Sequence, residues 1–231
     1  MSNINAGIFA AGKGERLKKH FPHTPKPLIK VGNKTLIEYA YYNLLSLNPS
    51  SIALLLNTET GEQILDYINK IGYKPTAIMI DSKTSFESFF TLANFLKVKD
   101  KDVVLSTVDT ITRSGEIINL VKNHNNTSAY ITLGVTRVIN DEKPLLVDID
   151  EKTKRIKSIG KTGYYATNGI YCLSYKAINN IKNNRYKALR EFLSQLDFEK
   201  NFISFYNIEE SLDIDDISDI KIAEFTLQDK Q

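Results

Sequence analysis

The chain carries a single cysteine, Cys172, among its 231 residues, which excludes an intramolecular disulfide and suits a reducing compartment. Cys172 lies in an apolar run and reads as a buried thiol instead of a nucleophile. No apolar stretch approaches the ~20 residues that span a bilayer, and no signal-like segment precedes Ile4, so a soluble, cytoplasmic protein is expected. Excess charge is also scarce. The net charge is +3, with lysines interspersed among acids, which provides no basic stripe for nucleic acid or an anionic membrane. Histidine is rare too: His20, His23 and His124 all fall in polar contexts and are read as solvated loop residues outside any catalytic group. Internal repeats and low-complexity tracts are absent.

What is present is ordinary for a globular protein, 42% hydrophobic and 25% charged, and the length suits one well-buried α/β domain. The first half alternates apolar runs with helical periodicity. Strands are expected at Ile4–Ala10, Ser51–Leu56, Thr76–Ile80 and Asp102–Ser106. Helices are expected at Thr35–Leu47, from Thr58 or Glu59 to Ile71, at Ser85–Lys97 behind a Ser-x-x-Ser start, and at Gly115–Asn123. This rhythm predicts a parallel sheet with helices on both faces, with ligands at the carboxyl ends of its strands. After Asn123-His124-Asn125-Asn126 the rhythm changes. Strands are expected at Ala129–Val138, Leu145–Ile149, Ile156–Ile159, Tyr165–Leu173 and Phe202–Asn207, and helices at Tyr175–Ile181, Tyr186–Leu196 and Ile217–Leu227. The division is read as one domain, 1–231, whose halves meet near residue 125: 1–125 and 126–231.

The most informative stretch is the loop after the first strand: Ala10, Ala11, Gly12, Lys13, Gly14, Glu15, Arg16, then Pro25-Lys26-Pro27-Leu28. Two glycines let backbone N–H groups approach an anion closely, and Arg16 and Lys26 add positive charge, so the loop reads as a phosphate cradle. It lacks the third glycine of a dinucleotide-binding fingerprint and the Gly-Lys-Ser/Thr of a Walker loop.

AAGKGERL followed by PKPL resembles the opening signature of the sugar-1-phosphate nucleotidyltransferases (NDP-sugar pyrophosphorylases). Their usual pattern is Gly-x-Gly-Thr/Ser-Arg-Leu/Met followed by Lys-Pro-Leu/Met; here Glu15 replaces the commoner hydroxyl residue. The resemblance implies a Rossmann-like nucleotidyltransferase fold, a mixed, mostly parallel α/β sheet flanked by helices. It also implies a nucleoside triphosphate and a phosphorylated small-molecule acceptor, a sugar 1-phosphate, as partners; a homo-oligomer is compatible with it.

The same resemblance assigns roles further along the chain. Asp109, just past the fourth strand, matches the family's aspartate that holds Mg²⁺. Asp213-Ile214-Asp215-Asp216 resembles the family's closing Asp-Val-Asp segment, in which one or other of the positions of Asp213 and Asp215 serves the metal; Asp216 also suits a helix cap. Ile217 replaces the family's proline. Asn168-Gly169-Ile170-Tyr171 resembles the strand that lines the sugar pocket, and a mid-strand glycine independently signals close approach by a ligand or another backbone. Lys161, shortly before that strand, is the candidate for the acceptor phosphate. The literal Glu142-Lys143-Pro144 lies too early for that role and is read as a turn.

The implied reaction is in-line attack of an acceptor phosphate oxygen on the α-phosphorus, with Arg16 stabilising the triphosphate and Lys26 bridging the two phosphates. A phosphate monoester is already nucleophilic at neutral pH, so catalysis needs alignment and electrostatics only. Ser85-Phe86-Glu87-Ser88 looks more like the corresponding turn of cytidylyltransferases acting on phosphocholine and similar small phosphates. A CTP-dependent enzyme with a non-sugar acceptor is therefore the rival within the class. A non-catalytic nucleotide-binding domain and a molybdenum-cofactor guanylyltransferase are the others.

Overall fold

A computed structural model describes residues 4–139, 143–182 and 186–228. In chain order, β1 (Ile4–Phe9) leads into a one-turn helix α1 (Glu15–Lys18), a 3-10 turn at Lys26–Leu28 and a hairpin of β2 (Lys30–Val31) and β3 (Lys34–Thr35). There follow α2 (Leu36–Leu45), β4 (Ile52–Leu56), α3 (Gly61–Lys70), β5 (Thr76–Met79), α4 (Ser85–Leu96), β6 (Asp102–Thr107), β7 (Thr110–Thr112) and α5 (Ser114–Thr127). The second half contains β8 (Ile131–Thr136), β9 (Leu146–Asp150), β10 (Arg155–Gly160), β11 (Tyr165–Leu173), α6 (Tyr175–Asn180), α7 (Leu189–Ser194), β12 (Ile203–Asn207), β13 (Ser211–Asp213) and α8 (Ile217–Gln228).

One nine-stranded sheet, ordered β5-β4-β1-β6-β11-β8-β12-β10-β9, runs through both halves. Its first four strands are parallel, as the alternating rhythm predicts. β11 then pairs antiparallel with β6 and hands the sheet to the second half. β9 also pairs with the start of β11, which curls the last strands back on themselves. Helices cover both faces. Along β4, Ile52, Leu54 and Leu56 face one core while Ala53 and Leu55 face the other, the alternation that a strand buried on both sides requires.

Several local features depart from expectation. α5 continues through Asn123-His124-Asn125-Asn126 and ends only where Ser128 turns left-handed (φ 47°). The polar run is helical because its side chains find partners in the fold: Asn123 Nδ2 donates to Ser204 Oγ (3.0 Å) and Phe205 O (3.1 Å). His124 is buried at 2% exposure, with Nδ1 2.8 Å from Thr132 Oγ1, so the reading of a solvated loop histidine is corrected. Burial lowers its pKa from 6.5 to about 4. α4 is capped by Thr84, whose hydroxyl accepts from Glu87 N (3.0 Å), not by Ser85. The helix expected over Tyr186–Leu196 is ordered as one only from Leu189 to Ser194. Of the Glu-Lys-Pro triplet, Glu142 lies outside the described residues, and Lys143 and Pro144 connect β8 to β9.

Candidate active site

The glycine loop leaves the carboxyl end of β1 in the middle of the parallel sheet. Ala10 is fully buried and fixes the exit through its N–H to Leu55 O (2.9 Å). Asn57 Nδ2 donates to Ala11 O (3.0 Å), tying the loop to the neighbouring strand end. Gly14 adopts φ 60°, a conformation costly for any side chain-bearing residue, and caps α1. It is required sterically as well: a Cβ there would come within 2.7 Å of Lys26 Cβ. The glycine loop is thus moulded onto the stem of the lysine that the PKPL motif delivers.

Lys26 is 8% exposed, and its ammonium is enclosed by carboxylates: Nζ donates to Asp109 Oδ2 at 2.6 Å and to Asp215 Oδ1 at 2.8 Å. Arg16 Nη2 donates to the other oxygen of Asp215 at 2.6 Å. Burial alone would depress the lysine pKa, but the two carboxylates outweigh it and hold the group firmly protonated, above the ordinary lysine value. The result is an alternating chain of charge, Arg16–Asp215–Lys26–Asp109, assembled from three separate parts of the sequence.

What brings Asp109 and Asp215 together is a ladder that sequence patterning misses. β13 pairs antiparallel with β7, Asp213 opposite Thr110 and Ser211 opposite Thr112, and Ile214 N donates to Asp109 O (3.1 Å). Beyond it, Asp219 Oδ2 accepts from the backbone N–H groups of Asp215 (2.9 Å) and Asp216 (2.8 Å). Asp216 Oδ1 accepts from Ser218 N (2.7 Å), the helix-starting role open to it from sequence.

This charge chain lies where two cavities meet. The larger, about 940 Å³, is lined by Ala11, Gly12, Lys13, Gly14, Glu15, Arg16, Lys26, Ser85, Asp109 and Asp215, all singled out from sequence. It has apolar walls, Phe9, Leu55, Ile80 and Leu189, and a polar far end at Asp81–Ser85. Ser85 Oγ accepts from Leu189 N (3.0 Å), joining α4 to α7. Several lining residues were missed from sequence, two of them polar groups that bear on the site. One is Asn57; the other is Ser82, whose buried hydroxyl has no hydrogen-bond partner among the described residues. No pattern in a run such as Asp-Ser-Lys-Thr-Ser distinguishes Ser82 from its neighbours.

The smaller cavity, about 270 Å³, shares Arg16 and Asp215 with the larger. Asp213 is exposed and lines only this second cavity, so it is Asp215 that joins Asp109 around Lys26. Asn168, Thr136, Thr167 and Ser211 add amide and hydroxyl groups, and Arg190 of α7, held by a bond to Lys143 O (2.9 Å), adds a second cation. Among the described residues lining it there is no aromatic ring.

Gly169 sits in a bulge of β11 at φ 82°, where a Cβ would meet Thr107 Oγ1 at 2.4 Å. Its close neighbour is therefore the β6–β7 bend that carries Asp109, and it lines neither cavity. Thr110 Oγ1 braces the same junction by donating to Asn168 O (2.8 Å). Lys161 is exposed on the turn after β10 and lines neither cavity. The structure does not bring it to the other candidates.

Comparison with known proteins identifies the family and the fold. The family model for nucleotidyl transferases matches residues 6–204. An Arabidopsis thaliana protein named as a mannose-1-phosphate guanylyltransferase is 25% identical over an alignment covering 76% of this chain and 56% of that protein. The chain therefore spans little more than half the length of that relative. The fold matches the inositol-1-phosphate CTP transferase of T. maritima with a TM-score of 0.78, at 19% identity over 98% of this chain and 96% of the other. It matches a Bacillus anthracis structure named as a glucose-1-phosphate thymidylyltransferase, in complex with a sucrose, with a TM-score of 0.81, at 18% identity over 99% and 96% of the two chains. With a family match spanning most of its length, this chain belongs to the nucleotidyl transferase family.

Proposed function

We propose that the protein transfers a nucleoside monophosphate from a nucleoside triphosphate to a sugar or polyol phosphate, most simply a sugar 1-phosphate, releasing pyrophosphate. The observation that carries this reading is the charge chain at the junction of two cavities. Lys26 Nζ lies 2.6 Å from Asp109 and 2.8 Å from Asp215, beside the glycine loop. Phosphates of both substrates would have to meet at such a point. The larger cavity suits a nucleotide: phosphates against the loop and Arg16, a base between the apolar walls.

Asp109 and Asp215 are also a donor set suited to Mg²⁺, which takes oxygen ligands and is commonly held by one or two carboxylates plus substrate phosphates. Bound there, it supplies charge neutralisation at the α-phosphate and the departing pyrophosphate. The chain's own residues do the rest. Arg16, 56% exposed, is free to follow the triphosphate, while Lys26, anchored by its packed stem, offers its ammonium to the reacting phosphates. The acceptor oxygen attacks the α-phosphorus in line, the bond between the α-phosphorus and the α,β-bridging oxygen breaks, and pyrophosphate leaves with the electron pair on that oxygen. Alignment and charge stabilisation suffice, with no general base.

The acceptor class follows from the second cavity. Hydroxyl, amide and carboxylate groups at Thr136, Thr167, Asn168, Ser211 and Asp213 suit a hydroxyl-rich ligand, with Arg190 beside its phosphate. Quaternary ammonium groups are recognised by aromatic cages, and the described lining has no ring, which weighs against phosphocholine. The three relatives carry names that include inositol, glucose and mannose phosphates, a common hydroxyl-rich chemistry.

The test is pyrophosphate release from CTP, GTP, UTP, dTTP and ATP in turn, with mannose, glucose and inositol 1-phosphates and with phosphocholine, with and without Mg²⁺. Mg²⁺-dependent release with a sugar or polyol phosphate is expected. No release from any pair, or phosphocholine as the best acceptor, overturns the reading.

A further inference from the structure

We propose that Lys26 is a built-in placeholder for the metal. In the ligand-free protein its ammonium holds the Asp109–Asp215 carboxylate pair closed to a divalent cation, and a bound triphosphate draws it away. This rests on the reading of the glycine loop as a phosphate site, and it adds an order to the events there.

Three observations combine. First, the ammonium occupies the convergence point of two carboxylates, Asp109 and Asp215, at 2.6 and 2.8 Å. A dication placed on the same oxygens would share them with a fixed positive charge, and in a partly buried setting that repulsion is strong. Second, Lys26 cannot yield by swinging into water. It is 8% exposed, and its Cβ, Cγ and Cδ pack against the Cα of Gly14 closely enough that an added Cβ would stand 2.7 to 3.2 Å from them. A buried ammonium keeps anionic partners in every state it visits, so it releases carboxylates only when other anions arrive. Third, that same packing puts the lysine in direct contact with the loop, so anions entering the loop arrive beside it. Phosphate oxygens are the replacement partners, and the freed carboxylate oxygens become available to the cation. Arg16 provides the contrast. It holds Asp215 at 2.6 Å but is 56% exposed, and can leave for solvent at little cost.

Metal and nucleotide binding are then coupled, and reciprocally so. The test is titration with Mn²⁺ as the spectroscopic substitute, counting protein-bound ion by water proton relaxation. The arms are wild type alone, wild type with each of the five triphosphates, and Lys26→Gln and Arg16→Gln without nucleotide. Wild type alone should bind Mn²⁺ weakly, and Lys26→Gln alone at least about tenfold more tightly, a gain of binding from loss of a functional side chain. Arg16→Gln alone should resemble wild type, and one triphosphate should raise the Mn²⁺ affinity of wild type by at least about tenfold. Mn²⁺ binding by nucleotide-free wild type as tight as with the triphosphate overturns the proposal, whether or not the variant folds. So does a folded Lys26→Gln with no gain. If no triphosphate binds at all, the transferase reading fails instead, and the comparison of Lys26→Gln with wild type, which needs no nucleotide, still decides the placeholder.

Discussion

Gly12 and Gly14 look equivalent in the loop sequence, and the structure assigns them different jobs, so alanine at each should separate folding from binding. Gly14 sits at φ 60°, where a non-glycine residue pays about 1–2 kcal/mol. Its new Cβ would also stand 2.7 Å from Lys26 Cβ, on the rigid part of a side chain pinned by two carboxylates. Overpacking of that kind adds about 1–2 kcal/mol. Gly14→Ala should therefore lose roughly 2–4 kcal/mol of stability, a fall in Tm of about 4–8 °C for a chain of this size. Gly12 has no left-handed φ and nothing within 4 Å of an added Cβ. Gly12→Ala should hold its Tm within about 2 °C, since reduced freedom of the unfolded chain offsets small losses. It lines the cavity, though, so its methyl group should weaken triphosphate binding. Differential scanning fluorimetry of both variants, with and without triphosphate and Mg²⁺, reads all of this. Equal Tm losses at the two glycines, or an unchanged Tm for Gly14→Ala, refutes the claim that the loop is moulded onto Lys26.

Three further outcomes follow from single residues. His124, buried beside Thr132 and with Asp102 beyond hydrogen-bonding distance at 3.7 Å, has its pKa lowered from 6.5 to about 4. The unfolded chain therefore binds the proton first: stability is intact above about pH 6.5 and lost as pH falls toward 4, about 2 kcal/mol of it by pH 5. Urea unfolding of wild type and His124→Asn at pH 7.5 and 5.0 should show a smaller pH dependence in the variant; equal dependence contradicts the assignment. Ser82→Ala removes a buried hydroxyl without a partner among the described residues, so it should leave stability unchanged or raise it by up to about 1 kcal/mol while weakening triphosphate binding in a thermal-shift titration. Arg190→Ala should raise the acceptor KM by about tenfold, the worth of a charge-assisted hydrogen bond, and Lys161→Ala should leave it unchanged; the reverse pattern restores Lys161 to the acceptor site.

The parallel half of the fold was legible because its strands are buried on both faces and its helices alternate with them, so hydrophobic runs and punctuation coincide. The grouping of Gly12, Gly14, Arg16 and Lys26 around one cavity was legible because all four lie within one short stretch. Choosing between Asp213 and Asp215 was beyond sequence. The choice depends on the β7–β13 ladder, three residues a side with no apolar signature, and on Asp219 folding the backbone at Asp215. Gly169 was expected to lie against a ligand or another backbone; what approaches it is the Thr107 side chain, more than sixty positions away in the chain. The Asn-His-Asn-Asn run misled because local polarity says nothing about partners such as Ser204 and Thr132 that only tertiary structure supplies.

The most direct test of the account is the thermal shift produced by ATP, GTP, CTP, UTP and dTTP, with and without Mg²⁺, on wild type and Asp109→Asn. A triphosphate at ~100 times its Kd stabilises a fold by about 2.7 kcal/mol, well within reach of the method. At least one triphosphate should shift wild type in an Mg²⁺-dependent way, and Asp109→Asn should lose most of the metal dependence. No shift from any of the five, or a shift indifferent to both metal and Asp109, would mean that the Arg16–Asp215–Lys26–Asp109 chain does not serve a nucleotide.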